Sequence, residues 1–519
     1  MSSSPPPSPS SWSSLIPNGG HGGHDGQSIA YPGLSSTCDN TQRRLVALLP
    51  CQHDADIIFE SSNGWMILDG IYQAPLDMYV NRDRQSYALD MAVVAQARPV
   101  LVARTLLHLA ICMNGLPPDF DVSRLSGVWS LEATMREYVT TVMTLVTGSD
   151  QQMMTLHGLE TLFLLGIYHT NEASLRQAWL TVRRGLSLAY LMGIHRIITQ
   201  EDMSPPSPAR LRAKGIWRNF VDLDQYLGIH LRLPFGADDY PVPDNADAYL
   251  VHRSRINKLS RQIAELGPTA SPQGYATALA LDEALEQAMK EMPRAFWEVP
   301  DVTATARSPE SHALLQRLLA HMWHFELKIF LHVPYLLQAG QQSRYEYSRV
   351  TALQASRSLV MRWFALRRAN MTQACCRLGE VGVYVAGVTL LLDILVAVAG
   401  CGSTGAVQRE KGSDFAMVRR LVGEMEALAR LSAREKMAGR SAAVLRKMAA
   451  VLEPERLGGH EDGMRLALPF FGTLHIEHGK RPAGFSFLQD SLWPKALLGD
   501  EGDEDWGVVV FDGLEDRQV

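Results

Sequence analysis

The sequence predicts an all-α protein: an irregular bundle of many helices, with a disordered N-terminal arm and an acidic C-terminal tail. Of its 519 residues 46% are hydrophobic, which is enough to bury a large core. From residue 41 onward, apolar residues recur at spacings of three and four, with Gly or Pro between the segments. Strand-like alternation is scarce and no repeat of fixed period is evident, so an irregular bundle is favoured over a solenoid.

Residues 1–40 are predicted to be a disordered arm. They consist mainly of Ser, Pro and Gly, which cannot bury enough apolar surface to offset the entropy of ordering. His21 and His24 lie in a Gly-rich stretch of this arm, where two imidazoles form no pre-organised metal site. Residues 41–452 are predicted to form the helical domain.

Apolar spacing predicts the main helices of this domain in order. They fall at residues 99–114, 174–192, 210–227, 280–292, 311–332, 350–368 and 417–448. In the helix over 174–192, Ala178, Gly185 and Ala189 share one face, and such small residues let a neighbouring helix approach closely. Gly193 is expected to end that helix in a left-handed conformation. Residues 253–272 are expected to form an excursion between helices.

The longest apolar run covers residues 381–401 and invites comparison with a membrane span. Asp393 lies near its middle, where a charged residue costs about 2.5–3.5 kcal/mol on insertion scales. We therefore predict a buried core helix, and we predict no membrane partner.

Residues 453–519 are predicted to be a mostly flexible tail with a candidate activation segment. Acidic and bulky apolar residues lie side by side there: Asp503, Glu504, Asp505, Trp506 and Phe511. Acidic neighbours keep apolar side chains solvated and available to fold onto a coactivator groove. A tail that only improves solubility is the alternative.

Residues 155–245 contain a series of short motifs, among them Gln177-Ala178-Trp179, Gly193-Ile194-His195-Arg196 and Leu233-Pro234-Phe235-Gly236. In their order these motifs resemble the regulatory middle region of fungal-specific transcription factors of the binuclear zinc cluster family. Weaker likeness extends over residues 76–401. It implies an all-α regulatory domain in the nucleus, often within a homo- or heterodimer. It also implies other transcription regulators or coactivators as partners and, in some members, a small-molecule effector.

The zinc cluster of that family is missing from this sequence. A DNA-binding zinc cluster of this kind needs several closely spaced Cys thiolates to bridge two Zn ions. The six cysteines here are instead scattered between residues 38 and 401. The net charge is −6 and basic residues occur only in isolated pairs, so tight unaided DNA binding is not expected. We therefore expect a regulator that reaches DNA only indirectly, unless an upstream exon supplies the cluster.

Common enzymatic motifs are not found in the sequence. The sequence has no H-E-x-x-H motif, no phosphate-binding loop and no dinucleotide fingerprint. His321, His324 and His332 come nearest to a metal set, but they lie among apolar residues without an acidic ligand on that face. No catalytic residue, metal or cofactor is predicted, and the protein is not expected to be an enzyme. An all-α enzyme of secondary metabolism, using a cavity between helices, is the alternative function.

One set of residues is a candidate effector pocket. Trp179, Arg183, Trp217, Phe220 and Asp224 come from the two helices that carry the resemblance. They could line a cavity in which Arg183 or Asp224 orients a ligand. In the alternative interpretation the aromatic residues are core, and Arg183 pairs with Asp222 or Asp224 to hold the two helices together.

Overall fold

The structure is a computed structural model that describes residues 34–62, 89–199, 207–268, 270–299, 309–340, 342–368, 377–401, 411–452 and 464–476. Its architecture confirms the all-α prediction. The first nine helices are α1 (Leu34–Val46), α2 (Gln52–Ser61), α3 (Met91–Gln96), α4 (Pro99–Asn114), α5 (Leu131–Val142), α6 (Asp150–Met153), α7 (Leu156–Asn171), α8 (Leu175–Leu191) and α9 (Ile194–Thr199).

The helices that follow within the described residues are α10 (Pro208–Leu231), α11 (Ala248–Leu266), α12 (Pro272–Lys290), α13 (Arg294–Trp297), α14 (Pro309–Ala339), α15 (Glu346–Arg368), α16 (Leu378–Cys401), α17 (Gly412–Leu431) and α18 (Lys436–Val451). A hairpin follows, made of β1 (Met464–Leu468) and β2 (Gly472–Ile476). Short 3₁₀ turns lie at Val122–Arg124 and Ser343–Tyr345, and one π-helical turn lies at Met143–Thr147.

The helices pack around one continuous apolar core. In one part of the bundle α4, α7, α8 and α10 pack side by side, and in the other α14 lies along α15, which packs on α16. Helix α10 joins the two parts, because it contacts α8 on one side and α11 on another. A cavity described below lies beside this connecting helix.

Helix α16 contains the apolar run expected to be a core helix. Within it, Gly379–Val398 is long and apolar enough to span a membrane, and 83% of that window is buried inside the fold. Its Asp393 is buried but paired: Arg349 Nε donates to the carboxylate at 2.5 Å, and the ammonium of Lys411 contacts it. Both features agree with the prediction of a buried helix.

Several boundaries differ from the predictions. Helix α1 begins at Leu34, inside the arm predicted to be disordered, and residues 1–33 lie outside the described residues. The structure has two helices where one was predicted over 417–448, because residues 432–435, between α17 and α18, are not helical. Gly193 does adopt the expected left-handed conformation, with φ of 73° after α8.

Part of the tail predicted to be flexible forms an ordered hairpin. Its turn places Leu468, Phe470 and Phe471 in the core, with the Phe470 ring stacked on Phe330 at 4.9 Å between centroids. The Phe470 amide also donates to the His230 carbonyl at 3.0 Å. Apolar burial, together with this backbone hydrogen bond, fixes the hairpin against α10 and α14. The predicted activation segment, from Asp503 to Phe511, lies outside the described residues.

Candidate functional site

The five residues of the predicted pocket lie where α8 packs against α10. Trp217 and Phe220 are buried. The guanidinium of Arg183 lies 5.2 Å from the centre of the Trp179 ring, and its Nη1 is 3.6 Å from Oδ1 of Asp224. This arrangement matches the alternative interpretation, in which the aromatic residues are core and Arg183 forms an ion pair.

Phe220 fills part of the space between the two helices at this point. Phe220 makes an edge contact with Phe163, with 5.2 Å between ring centroids, and it fills the space beside Gly185. A Cβ atom added at Gly185 would lie 2.3 Å from the Phe220 ring, which explains why a small residue is required there. The small-residue face of α8 is thus used for close helix packing, as predicted from sequence.

We expect Gly185→Ala to lower the free energy of unfolding by about 1–3 kcal/mol, because the added methyl group overpacks the core against Phe220. Gly215→Ala is the matched control. Nothing lies within 4 Å of a Cβ at Gly215, so we expect a gain of about 0.5–1 kcal/mol from helix propensity. Urea denaturation of both variants measures the difference, and equal effects of the same sign would contradict this packing.

A cavity lies on a different face of α10. Its volume is about 290 Å³, and its walls come from α7, α10, α11, α14 and the start of α16. At 100° per residue, the cavity-lining residues Asn219, Asp222, Leu223 and Tyr226 lie about 140° around the α10 axis from the predicted pocket residues. None of the five predicted pocket residues lines it.

One end of this cavity is polar and held together by Asp222. Its carboxylate is in contact with the guanidinium of Arg253 and accepts from the amide of Asn257. The Tyr240 hydroxyl donates to Oδ2 of Asp222 at 3.4 Å. Burial by itself lowers the pKa of Arg253, but the Asp222 charge outweighs it and raises that pKa. Burial raises the pKa of the Asp222 carboxyl, although the charge of Arg253 opposes this. The hydrogen-bonding capacity of the pair is largely used by its contacts with each other, Asn257 and Tyr240.

His252, one helical position before Arg253, brings an imidazole into the cavity wall. Its ring is 5.6 Å from that of Trp297, centroid to centroid, and the side chain is almost fully buried. Burial lowers the pKa of His252 below its usual value of 6.5, although a hydrogen bond to the Ala288 carbonyl opposes this. The ring is therefore neutral at pH 7, and its Nε2 has no hydrogen-bond partner.

The opposite wall is aromatic and carries a second carboxylate. The Trp323 ring lies 4.9 Å from Tyr226 and stacks on His230 at 5.8 Å between centroids. Glu326 also lines the cavity, and its Oε1 is 2.9 Å from Nε2 of His230. The amide of Phe470 donates a hydrogen bond to the His230 carbonyl, and this bond connects the wall to the C-terminal hairpin.

Sequence reasoning missed the cavity because it missed α11. Residues 253–272 were expected to be an excursion, yet Ala248–Leu266 is helical. The signal was present: Asp247 accepts from the Leu250 amide as N-cap, and the buried Ile256, Leu259 and Ile263 follow at spacings of three and four. Dense charge on the exposed face masked this pattern.

The three histidines considered as metal ligands are all buried in α14. Nε2 of His321 lies 2.5 Å from the Phe296 carbonyl, and Nδ1 of His332 lies 2.9 Å from the Ser348 hydroxyl. Burial, followed by the charge of Arg362, lowers the pKa of His321 to about 3. In the part of the chain that the structure describes, no group of three or more His, Cys, Asp or Glu residues is placed to hold a metal ion.

Sequence comparison with known proteins identifies relatives of this chain. No protein-family model matches the chain. It is similar to the transcription factor sdnS of Sordaria araneosa, with 30% identity over 423 residues that cover 80% of this chain and 55% of that protein. The chain is a homologue of fungal transcription regulators. The resemblance seen in the sequence is thereby confirmed.

Two further relatives of this chain are also named as a regulator or a transcription factor. A dehydrocurvularin biosynthesis regulator of Alternaria cinerariae is 26% identical, over 85% of this chain and 62% of that protein. The Zn(2)-C6 fungal-type transcription factor pigI of Monascus ruber is 24% identical, over 43% of this chain and 30% of that protein. The chain spans between 55% and 62% of the length of the first two relatives.

Proposed function

We propose that this chain acts as the regulatory domain of a transcription regulator that controls a biosynthetic pathway of secondary metabolism. The observation that carries the proposal is the similarity to sdnS over 80% of the chain, across the helices that build the core and the cavity. The relatives are named as transcription factors or biosynthesis regulators, not as enzymes. The proposal therefore includes no catalytic role, and it places the protein in the nucleus.

We further propose that the chain works through protein contacts with coactivators or other transcription regulators, as a homo- or heterodimer, and that it reaches DNA through them. The net charge of −6 supports this for the chain itself, because binding to DNA phosphates favours a basic surface. A gel-shift assay with purified chain and promoter DNA should be negative until a partner is added. Sequence-specific binding by the chain alone would overturn the indirect mode.

Deleting the gene tests the regulatory role itself. We expect transcripts of a set of biosynthetic genes to change at least several-fold in the deletion strain, and to recover when the gene is restored. Unchanged transcripts, together with a pathway intermediate that accumulates in the deletion strain and is turned over by the purified chain, would support the enzyme alternative and overturn the proposal.

The candidate activation segment needs a separate test. We expect residues 453–519, fused to a heterologous DNA-binding module, to raise reporter output. The matched control replaces Trp506 and Phe511 with Ser and keeps Asp503, Glu504 and Asp505. Loss of activity in the control would show that the apolar side chains bind a coactivator. Silence of the unaltered fusion, or full activity of the control, would leave the tail as a solubilising segment.

A further inference from the structure

We propose that the cavity between α7, α10, α11 and α14 binds an aromatic compound that carries a carbonyl group, with the carbonyl oxygen at the polar end of the cavity. Ligand binding is a property of the chain itself, and only its regulatory consequence rests on the proposed function. The site differs from the pocket expected between α8 and α10, where Phe220 packs beside Gly185 and Arg183 pairs with Asp224.

The size and walls of the cavity suit an aromatic molecule. Its volume of about 290 Å³ is near the lower end for small-molecule sites, which favours a compound of roughly two or three fused rings. Phe163, Tyr226 and Trp323 contribute aromatic side chains to the lining, and Leu223 and Ile256 add aliphatic ones. Aromatic rings pack on such walls in offset or edge-to-face geometry, which adds to the gain from apolar burial.

The acceptor atoms at the polar end are already used by the protein. The Asp222 carboxyl group is in contact with the guanidinium of Arg253. It also accepts from the amide of Asn257, and from the Tyr240 hydroxyl at 3.4 Å. Oδ1 of Asn219 accepts from Nη2 of Arg253, also at 3.4 Å. This end of the cavity therefore has little acceptor capacity left for a ligand that donates.

Three donor groups at the same end make no hydrogen bond within the described residues. They are the Tyr249 hydroxyl, the NH₂ group of Asn219 and Nη1 of Arg253. None of them is fully enclosed by protein, so a molecule in the cavity can contact them. Burial raises the pKa of Tyr249 above its usual value of 10, so its hydroxyl keeps its proton at pH 7. The three donors are present whether or not Asp222, whose pKa burial raises, carries a proton.

A carbonyl oxygen distinguishes the expected ligand from a hydrocarbon of the same shape. The hydrocarbon gains more from apolar burial, but in a partly closed cavity it shields these donors from water and offers them no acceptor. A carbonyl oxygen at the polar end accepts from Tyr249 or Asn219, and a bond from Arg253 is stronger because that donor is charged. A preference for the carbonyl compound over its hydrocarbon isostere is therefore expected.

Two probes of one shape test the proposal by equilibrium dialysis against the purified full-length chain. The probes are 2-acetylnaphthalene and 2-isopropenylnaphthalene, which differ only in an oxygen atom replaced by a CH₂ group. We expect the ketone to bind at least about threefold more tightly, although the hydrocarbon is the more apolar of the two. No binding of the ketone, or a hydrocarbon that binds equally well or better, would overturn the proposal.

Two variants locate the binding site. Ala320 lines the cavity and is half-buried, so we expect Ala320→Phe to occupy the space and abolish binding of 2-acetylnaphthalene. Ala313→Phe is the matched control, because Ala313 is exposed on the same helix, and it should bind as the unaltered chain does. Binding that survives Ala320→Phe, or that is lost equally in Ala313→Phe, would overturn the assignment.

The double variant Tyr249→Phe with Asn219→Leu tests the role of the donors and includes its own check on folding. Both residues are half-buried, and the changes remove two donors while keeping similar side-chain volumes. The variant should still bind 2-isopropenylnaphthalene, since the cavity remains, while its preference for the ketone falls at least about threefold. A preserved preference would overturn the role of these donors. The assays involve no transcription, so a failed ligand test leaves the regulatory proposal standing, and a failed deletion experiment leaves the binding site standing.

Discussion

Replacing Arg434 with Met is expected to lower the free energy of unfolding by about 3–5 kcal/mol, one of the two largest effects we predict for a single side chain. Arg434 lies between α17 and α18 and is 4% exposed. Its guanidinium donates to the carbonyls of Met113, Leu116 and Pro117, at 2.6, 3.1 and 3.0 Å, just where α4 ends.

The reason for this large effect is that one side chain satisfies the end of a helix more than 300 residues away. A hydrogen bond from a charged donor contributes about 1.5–3 kcal/mol. Without Arg434 the Leu116 carbonyl would lose this donor, while the Met113 and Pro117 carbonyls keep bonds from the Leu116 and Phe120 amides at 3.3 and 3.0 Å. Met fills a similar volume but donates nothing. Arg377 supports the same helix end, because it donates to the Asn114 and Arg434 carbonyls.

Arg430→Met is the control for Arg434→Met. Arg430 is on α17, its side chain is 71% exposed, and its contact with Glu426 is 3.9 Å long. Such a surface pair contributes little, so the change should stay within about 0.5 kcal/mol. Denaturation in urea measures both variants, and a similar loss in each would show that Arg434 does not hold the end of α4.

Glu160→Gln is expected to cost about 3–5 kcal/mol at pH 7, because it leaves buried positive charge without its counter-charge. Glu160 of α7 is in contact with the guanidinium of Arg104, which is 1% exposed, and it accepts from Arg212 of α10 at 2.5 Å. His157 Nδ1 lies 3.2 Å from the same carboxylate. The cluster thus joins α4, α7 and α10.

The pH dependence of stability should identify the charge of Glu160 as the cause. Burial by itself raises the pKa of Glu160, but the contacts with His157, Arg104 and Arg212 outweigh it and lower that pKa below 4.5. The unfolded chain therefore binds the proton more readily. The stabilisation is fully present above about pH 4.5 and is lost as the pH falls through the folded-state pKa.

Unfolding free energies of the unaltered chain and of Glu160→Gln should therefore differ by the same amount at pH 7 and 5.5 and by less at pH 4. Glu424→Gln is the control, because Glu424 forms only an exposed pair with Arg420 within α17, and its effect should stay within about 0.5 kcal/mol at each pH. A difference for Glu160→Gln that stays the same at all three pH values would show that the negative charge of Glu160 is not the cause of the destabilisation.

The local structure of the chain was predictable wherever apolar periodicity and chain-breaking residues agree. The helix predicted over 99–114 is α4 with the same bounds, and Gly193 ends α8 in the left-handed conformation expected of it. The close approach at Gly185 was also predictable, because a small-residue face has one obvious structural use. In each case a few neighbouring residues carry the whole signal.

The site was less predictable. The sequence shows that α10 is a helix, but the helices packed around α10 decide which of its faces borders a cavity. Trp217, Phe220 and Asp224 are of residue types that often line ligand pockets, yet they pack on α8. Asp222 was considered as a partner of Arg183, yet it lines the cavity together with Tyr226, because α11 crosses that face. The hairpin was missed for the same reason, since its few apolar residues gain their order only by docking on Phe330.

The amino-acid sequence by itself determined the helical class, the order of most helices and the kinship with fungal regulators, because these depend on periodicity and motif order along the chain. Only the tertiary structure decided which side of α10 stays open and that Arg434 caps a helix more than 300 residues distant. It also decided that part of the tail folds back onto the core. These features arise from contacts between residues far apart in sequence, and local propensity holds no record of such contacts.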